Sequence, residues 1–233
     1  QEFDTELLSL MFELNKLIFI NVDTVSFSES YDSFKSDYPN MFNYWSTVVK
    51  NNHSSNGDSE SDLFSKFSST LPEFSKVICV SVGLIKGEEI SVKTILHHDE
   101  KKILTELKDV LEKIQKLGFE ICGHNINQFH LPFLYKRYLI NRIQPPSILP
   151  SYKSKPWENK VVDVKELWNV GKYNNYTTLD LIRFSIGLDD KNHSEEKKKI
   201  HQLFWNDKNF DEIKKIGETM IYSLIEVTKK LKL

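Results

Sequence analysis

The apolar run Leu17-Ile18-Phe19-Ile20 sits within Lys16 to Val22 and predicts a buried strand. It runs directly into Asn21-Val22-Asp23, which places two polar side chains at i and i+2 on one face of a strand end. Lys76 to Ile85 and Glu88 to Leu96 flank a tight turn containing Gly87 and predict a hairpin. Asp99 then caps a helix in which Ile103, Leu104, Leu107, Val110, Leu111, Ile114 and Leu117 recur at helical spacing as far as Gly118. Phe119 to Asn125 reads as a strand, Gln128 to Arg142 as a helix with Pro132 near its first turn, and Lys160 to Val164 as another strand. Helices around Thr178 to Ile186, Glu195 to Trp205 and Asp207 to Leu233 follow. Strand, hairpin, helix, strand, helix, strand, then helices is the order of an α/β fold with a mixed central sheet flanked by helices.

One segment departs from this rhythm. From about Ser26 to Ser75 the chain is polar and Ser-rich, and Asn51 to Asp62 has so little to bury that it reads as an exposed or mobile loop. Tyr31, Phe34, Tyr38, Phe42, Tyr44 and Trp45 nevertheless give the segment more aromatic residues than disorder carries, so part of it is expected to pack on the domain or on a partner.

With 233 residues, 39% of them hydrophobic, the chain suits one well-filled core, and a single domain over residues 1–233 with an insertion at about 26–75 is expected. Membrane-length apolar runs and a signal-peptide pattern are both missing, which makes a cytoplasmic location and no membrane partner the expectation. Cys79 and Cys122 fall in buried strands and read as small core hydrophobes. The net charge is -2, but residues 1–100 carry 7 basic and 16 acidic side chains, whereas residues 101–233 carry 24 and 17. A basic half of this kind is compatible with a nucleic-acid face and equally with solvated helices.

Three segments together resemble the DEDD-type 3'-to-5' exonucleases, in particular the stand-alone group related to the proofreading domain of B-family DNA polymerases. Asn21 to Thr24 (NVDT) resembles the family's DIET, His124 to Pro132 (HNINQFHLP) resembles HNGxxFDxP, and Ile216 to Leu224 (IGETMIYSL) resembles the last-helix YCxxDVxxT. Lys155 to Leu188 is also similar to the stretch that joins the second and third signatures. The resemblance implies an RNase H-like fold and, for an active member, two magnesium or manganese ions held by four carboxylates for attack on a terminal phosphodiester.

Carried over residue by residue, the four carboxylates fall on Asn21, Asp23, His130 and Met220, and the Tyr that orients the attacking water falls on Ile216. One carboxylate cannot offset two divalent ions. The expectation is therefore a pseudoenzyme with no catalytic residue and no cofactor, Asp23 being the residue to hold a metal if any does. Asn21 is isosteric with Asp and is expected to hydrogen-bond to Asp23 or His130. Asp163 matches a further family Asp and also suits a helix cap.

Two functions follow from different classes. The first is a binding or scaffold module, with a protein partner expected and single-stranded or 3'-ended nucleic acid as a further candidate. Lys197, Lys198, Lys199, Lys214 and Lys215 would then be the nucleic-acid contacts. The second is an active exonuclease with a rearranged site around Asp23 and His130, which would need Mg or Mn.

Overall fold

The structure is a computed structural model that describes residues 13–53, 57–151, 161–170, 177–189 and 191–231. Its centre is a five-stranded mixed sheet in the order β3-β2-β1-β4-β5, with β1 Leu17–Ser26, β2 Ser75–Lys86, β3 Glu89–Leu96, β4 Glu120–Gly123 and β5 Val161–Asp163. β1 pairs antiparallel with β2 and parallel with β4, β3 is antiparallel to β2, and β5 is parallel to β4. Helices cover both faces, and this is the α/β, RNase H-like architecture that the motif resemblance implies.

Alternation along β1 assigns its two faces. Ile18, Ile20 and Val22 pack with Val80, Val82 and the helices α4 (Glu100–Lys116) and α5 (Leu131–Ile140). Leu17 and Phe19 face the other way, against the long helix α10 (Phe210–Lys230). Asn21 and Asp23 share that second face. Two glycines let α10 lie close to the sheet. A Cβ on Gly83 of β2 would collide with Ile221, and one on Gly217 would collide with Ser81 Oγ and stand 3.5 Å from Asp23 Oδ2.

Several sequence expectations shift. β1 does not end at Asn-Val-Asp: it runs on to Ser26 through a register irregularity between Asp23 and Thr24, because Val25 is buried and β2 keeps pairing down to Ser75. Asn21 and Asp23 are thus 3% exposed residues inside a strand rather than at its tip. The region around Asn51 to Asp62 is not all loop. The segment forms α1 (Tyr31–Asp37), α2 (Pro39–His53) and α3 (Glu60–Phe67), and Ser59 and Asp62 close a capping box that starts α3. Phe34, Trp45, Leu63, Phe64 and Phe74 make a separate core there, with Trp45 ring centroids 5.3 Å from Phe64 and 5.2 Å from Phe74.

The helix expected over Gln128 to Arg142 begins with a π-helical turn, Ile126–His130, that follows Asn125 in the left-handed region (φ 55°). Beyond β5 come α6 (Val164–Asn169) and α7 (Leu179–Ser185), and the helix expected over Glu195 to Trp205 is two, α8 (His193–Lys198) and α9 (Ile200–Trp205). Lys160, the expected first residue of the last strand, and residues 155–160 and 171–176 of the Lys155 to Leu188 stretch lie outside the described residues. Cys79 and Cys122 are buried and unbonded to each other, and no described helix is long and apolar enough to cross a membrane.

A buried ion pair joins the insertion to the main sheet. Glu100 accepts from Arg137 Nε at 2.8 Å, from Asn141 Nδ2 at 2.8 Å and from the Val77 backbone at 2.7 Å, while Arg137 Nη1 donates to Pro72 O at 2.6 Å. The guanidinium also lies 5.1 Å from the Phe27 ring centroid. Glu100→Ala leaves Arg137 buried without its counter-charge and is expected to cost about 3–5 kcal/mol in urea denaturation. The double variant Glu100→Leu/Arg137→Met should cost less than the sum of its singles, because it leaves no uncompensated charge behind.

Candidate functional site

The parallel strands β1, β4 and β5 point their carboxyl ends to one edge of the sheet, the edge where ligands enter open α/β folds. Pairing of β1 with β4 stops at Phe19–Cys122, so the chain after β4 turns away at His124 and Asn125 and leaves Asn21 to Asp23 beside an opening. The groove there has a cavity of about 410 Å³, whose walls include Asp23, His124, Phe129, His130, Lys165 and Lys197, with Met220 beside them. It adjoins a second cavity of about 670 Å³ between the helical insertion and α9, walled by Tyr31, Ser65, Lys66 and His201. Thr24, Ser69, Ser194, Lys197 and Ile200 border both.

At the groove floor Asn21 Nδ2 donates to Asp23 Oδ2 at 2.8 Å, which is one of the two bonds open to Asn21 on sequence grounds. The other cation-bearing neighbour was not foreseeable from spacing. Lys197, at the end of α8 and distant in sequence, donates to Asn21 Oδ1 at 2.8 Å and sets its ammonium 3.4 Å from Asp23 Oδ1. Burial pushes the Asp23 carboxyl above its ordinary range, against the opposing pull of Lys197 and Asn21. Lys197 itself stays about a third exposed, its side chain at 31%.

His130 shares the groove with Asp23 but is not its hydrogen-bond partner. Its Nδ1 is buried with no partner, and burial pulls its pKa well down, as do Lys197 and His124 nearby. Met220 lies at the edge of the groove and packs into the apolar cluster of α10 with Leu224, Leu17 and Phe19. Ile216 falls outside the groove, in a cluster with Val25, Ile78 and Cys79. The structure therefore brings Asn21, Asp23, His130 and Met220 to one groove and places Ile216 in the core behind it.

Asp163 has a structural task. Its carboxylate accepts from the backbone N–H of Asn125 at 2.9 Å, Asn127 at 3.0 Å and Lys165 at 2.9 Å, so it caps α6 and also holds the turn that leads into α5. Lys165 and His124, which line the groove, carried no role on sequence grounds. Lys165 Nζ donates to Asn125 Oδ1 at 3.1 Å, and His124 Nε2 meets Thr177 O at 2.9 Å.

Of the candidate nucleic-acid lysines, Lys197 alone borders the groove of Asp23. Lys197 turns inward to Asp23, Lys198 pairs with Glu195, Lys214 with Glu218 and Lys215 with Glu212, each of the last three on its own or an adjacent helical turn. Lys199 is exposed between α8 and α9.

The donor set at the groove floor does not fit two divalent ions. It offers a single carboxylate, already bonded to an amide and an ammonium, and among the described residues no group of three or more His, Cys, Asp or Glu is placed to hold a metal ion.

No protein-family profile matches the chain, and no curated protein sequence matches it. Its structure is similar to that of the family B DNA polymerase from the hyperthermophilic archaeon Pyrobaculum calidifontis, with a TM-score of 0.58 and 14% identity, over 92% of this chain and 24% of the polymerase. This likeness is one of fold, and the chain spans about a quarter of the polymerase's length.

The histidines around the groove make stability depend on pH. Burial lowers the pKa of His124 from 6.5 to about 4 and also lowers those of His130, His193 and His201. The unfolded chain thus takes up protons that the folded chain refuses, so this stability is complete above about pH 6.5 and is lost as pH falls toward 4. Asp23 and Asp163, whose carboxyls burial pushes up, act in the opposite sense. Urea midpoints are expected to fall between pH 7.5 and 5, and His124→Asn should make the slope shallower by up to about 1.4 kcal/mol per pH unit. Unchanged slopes would mean that His124 protonates freely in the fold.

Proposed function

We propose that this chain is a non-catalytic, exonuclease-like module that uses its groove to bind a partner rather than to cut nucleic acid. The observation that carries the reading is the groove floor. Where the motif resemblance calls for four carboxylates, Asn21, Asp23, His130 and Met220 supply one, and its oxygens are engaged by Asn21 and Lys197. The position aligned with the water-orienting Tyr is Ile216, packed in the core.

A protein partner suits the groove better than a nucleic-acid strand. Its charged side chains, Asp23 and Asp180 with Lys165 and Lys197, balance in sign, whereas a phosphate backbone is held mainly by excess positive charge. Phe129 in the groove wall is an aromatic surface that either partner can use, and Lys198, Lys214 and Lys215, expected to track a strand, pair with neighbouring carboxylates.

The test is a denaturing gel of 5'-labelled single-stranded and recessed-duplex DNA incubated with purified protein in magnesium and then manganese, beside Asp23→Ala. Intact substrate in every lane is the expected result. Laddering from the 3' end that vanishes with Asp23→Ala would make the chain an enzyme. Fluorescence anisotropy at low salt decides the occupant: a Kd for single-stranded DNA weaker than about 10⁻⁴ M supports a protein partner, and tighter binding supports a nucleic-acid end.

A further inference from the structure

We infer that the ammonium of Lys197 is a resident cation at the groove floor, filling by a side chain the electrostatic need that an active member of the family its motifs resemble would meet with metal ions. The inference rests on the non-catalytic reading of the groove and says how that state is held.

Three observations carry it. The first is the closure of the polar set. Asn21 Nδ2 bonds Asp23 Oδ2, Lys197 Nζ bonds Asn21 Oδ1, and the same Nζ stands by Asp23 Oδ1, so each side-chain polar atom of Asn21 and Asp23 has a partner. Asn21 is oriented by this arrangement: its oxygen faces the cation and its amide faces the carboxylate. The second is burial. The Asp23 side chain is 1% exposed, and a carboxylate held that far from water needs a counter-charge.

The third is the anchoring of the element that brings the lysine. The Asp180 carboxylate accepts from the backbone N–H groups of His193 and Ser194 at 3.1 and 2.9 Å and from Ser194 Oγ, which fixes the start of α8. His193 Nε2 and Ser223 Oγ, 2.7 Å apart, tie the same turn to α10, the helix that carries Met220. Lys197 lies one turn further on. Its position is thus set by contacts that do not involve Asp23.

A divalent ion at Asp23 would have to displace this ammonium, since one buried carboxylate supplies a single negative charge and cannot offset a divalent ion and an ammonium together. Ammonium and metal are alternatives at this site. Removing the lysine charge and supplying a carboxylate in its place should therefore open a divalent-cation site that the native residue closes.

The experiment measures Mn²⁺ binding to the full chain by electron paramagnetic resonance for the native protein, Lys197→Glu, and Lys197→Glu/Asp23→Asn. The expected result is at least tenfold tighter Mn²⁺ binding in Lys197→Glu than in the native protein, lost again in the double variant. Equal affinity in the native protein and Lys197→Glu, whether both bind or neither does, overturns the inference. If Lys197→Glu does not fold, the native protein decides by NMR: Mn²⁺ that leaves the Asp23 and Gly217 signals sharp supports a resident ammonium, and broadening there that Asp23→Asn removes overturns it. Native protein that binds Mn²⁺ at Asp23 yet leaves DNA intact refutes the resident cation alone, whereas 3'-end laddering refutes the non-catalytic reading itself.

Discussion

A carboxylate buried in the central strand is the constraint around which the groove is arranged. Asp23 lies on β1, the strand that pairs with both β2 and β4, and on the face that α10 covers. Taking an ionised carboxylate out of water costs several kcal/mol unless charge and hydrogen bonds return to it. Asn21 supplies a hydrogen bond from two residues away and Lys197 supplies the charge. Gly217 allows α10 to approach: a side chain there would crowd Ser81 and come within contact distance of Asp23. The smallest residue on the helix and the charged residue on the strand are thus parts of one packing solution.

The elements legible in the sequence are those whose signals are local. The β2–β3 hairpin, the Asp99 cap and the apolar stripe of α4 each follow from residues within a few positions of one another, and each lies within a residue or two of its expected place. The end of β1 was illegible because Asn-Val-Asp carries the composition of a strand terminus, while its continuation depends on pairing with a strand more than fifty residues away. The insertion misleads in a similar way. Its Ser and Asn content argues for an open loop, yet Ser59 and Asp62 cap a helix and Phe34, Trp45, Phe64 and Phe74 bury one another. A residue-by-residue search for S-x-x-D patterns could have found α3; average polarity could not.

The groove was legible in its membership and illegible in its wiring. Motif resemblance alone brings Asn21, Asp23, His130 and Met220 to one place; in the structure Asp23, His130 and Met220 border one cavity, and Asn21, His130 and Met220 a smaller one. It also places Ile216 beside them, whereas Ile216, one helical turn before Met220, packs against Val25, Ile78 and Cys79 in the core. Lys197 could not be assigned. In sequence it belongs to a run of three lysines, and nothing within that run separates the one that turns inward from the two that face solvent.

The neutral residues at the other positions follow from the same electrostatics. With an ammonium as the counter-charge, Asp23 is matched one to one. A second carboxylate at position 21, 130 or 220 would then compete with Asp23 for the Lys197 ammonium, and two carboxylates sharing a buried site resist joint ionisation. An amide at 21 keeps the shape and donates to Asp23, a thioether at 220 joins the apolar cluster of α10, and an imidazole held neutral by burial at 130 adds no charge. Asn21, His130 and Met220 are therefore compatible with Lys197 as a set, and restoring one carboxylate alone would unbalance the groove rather than rebuild a metal centre.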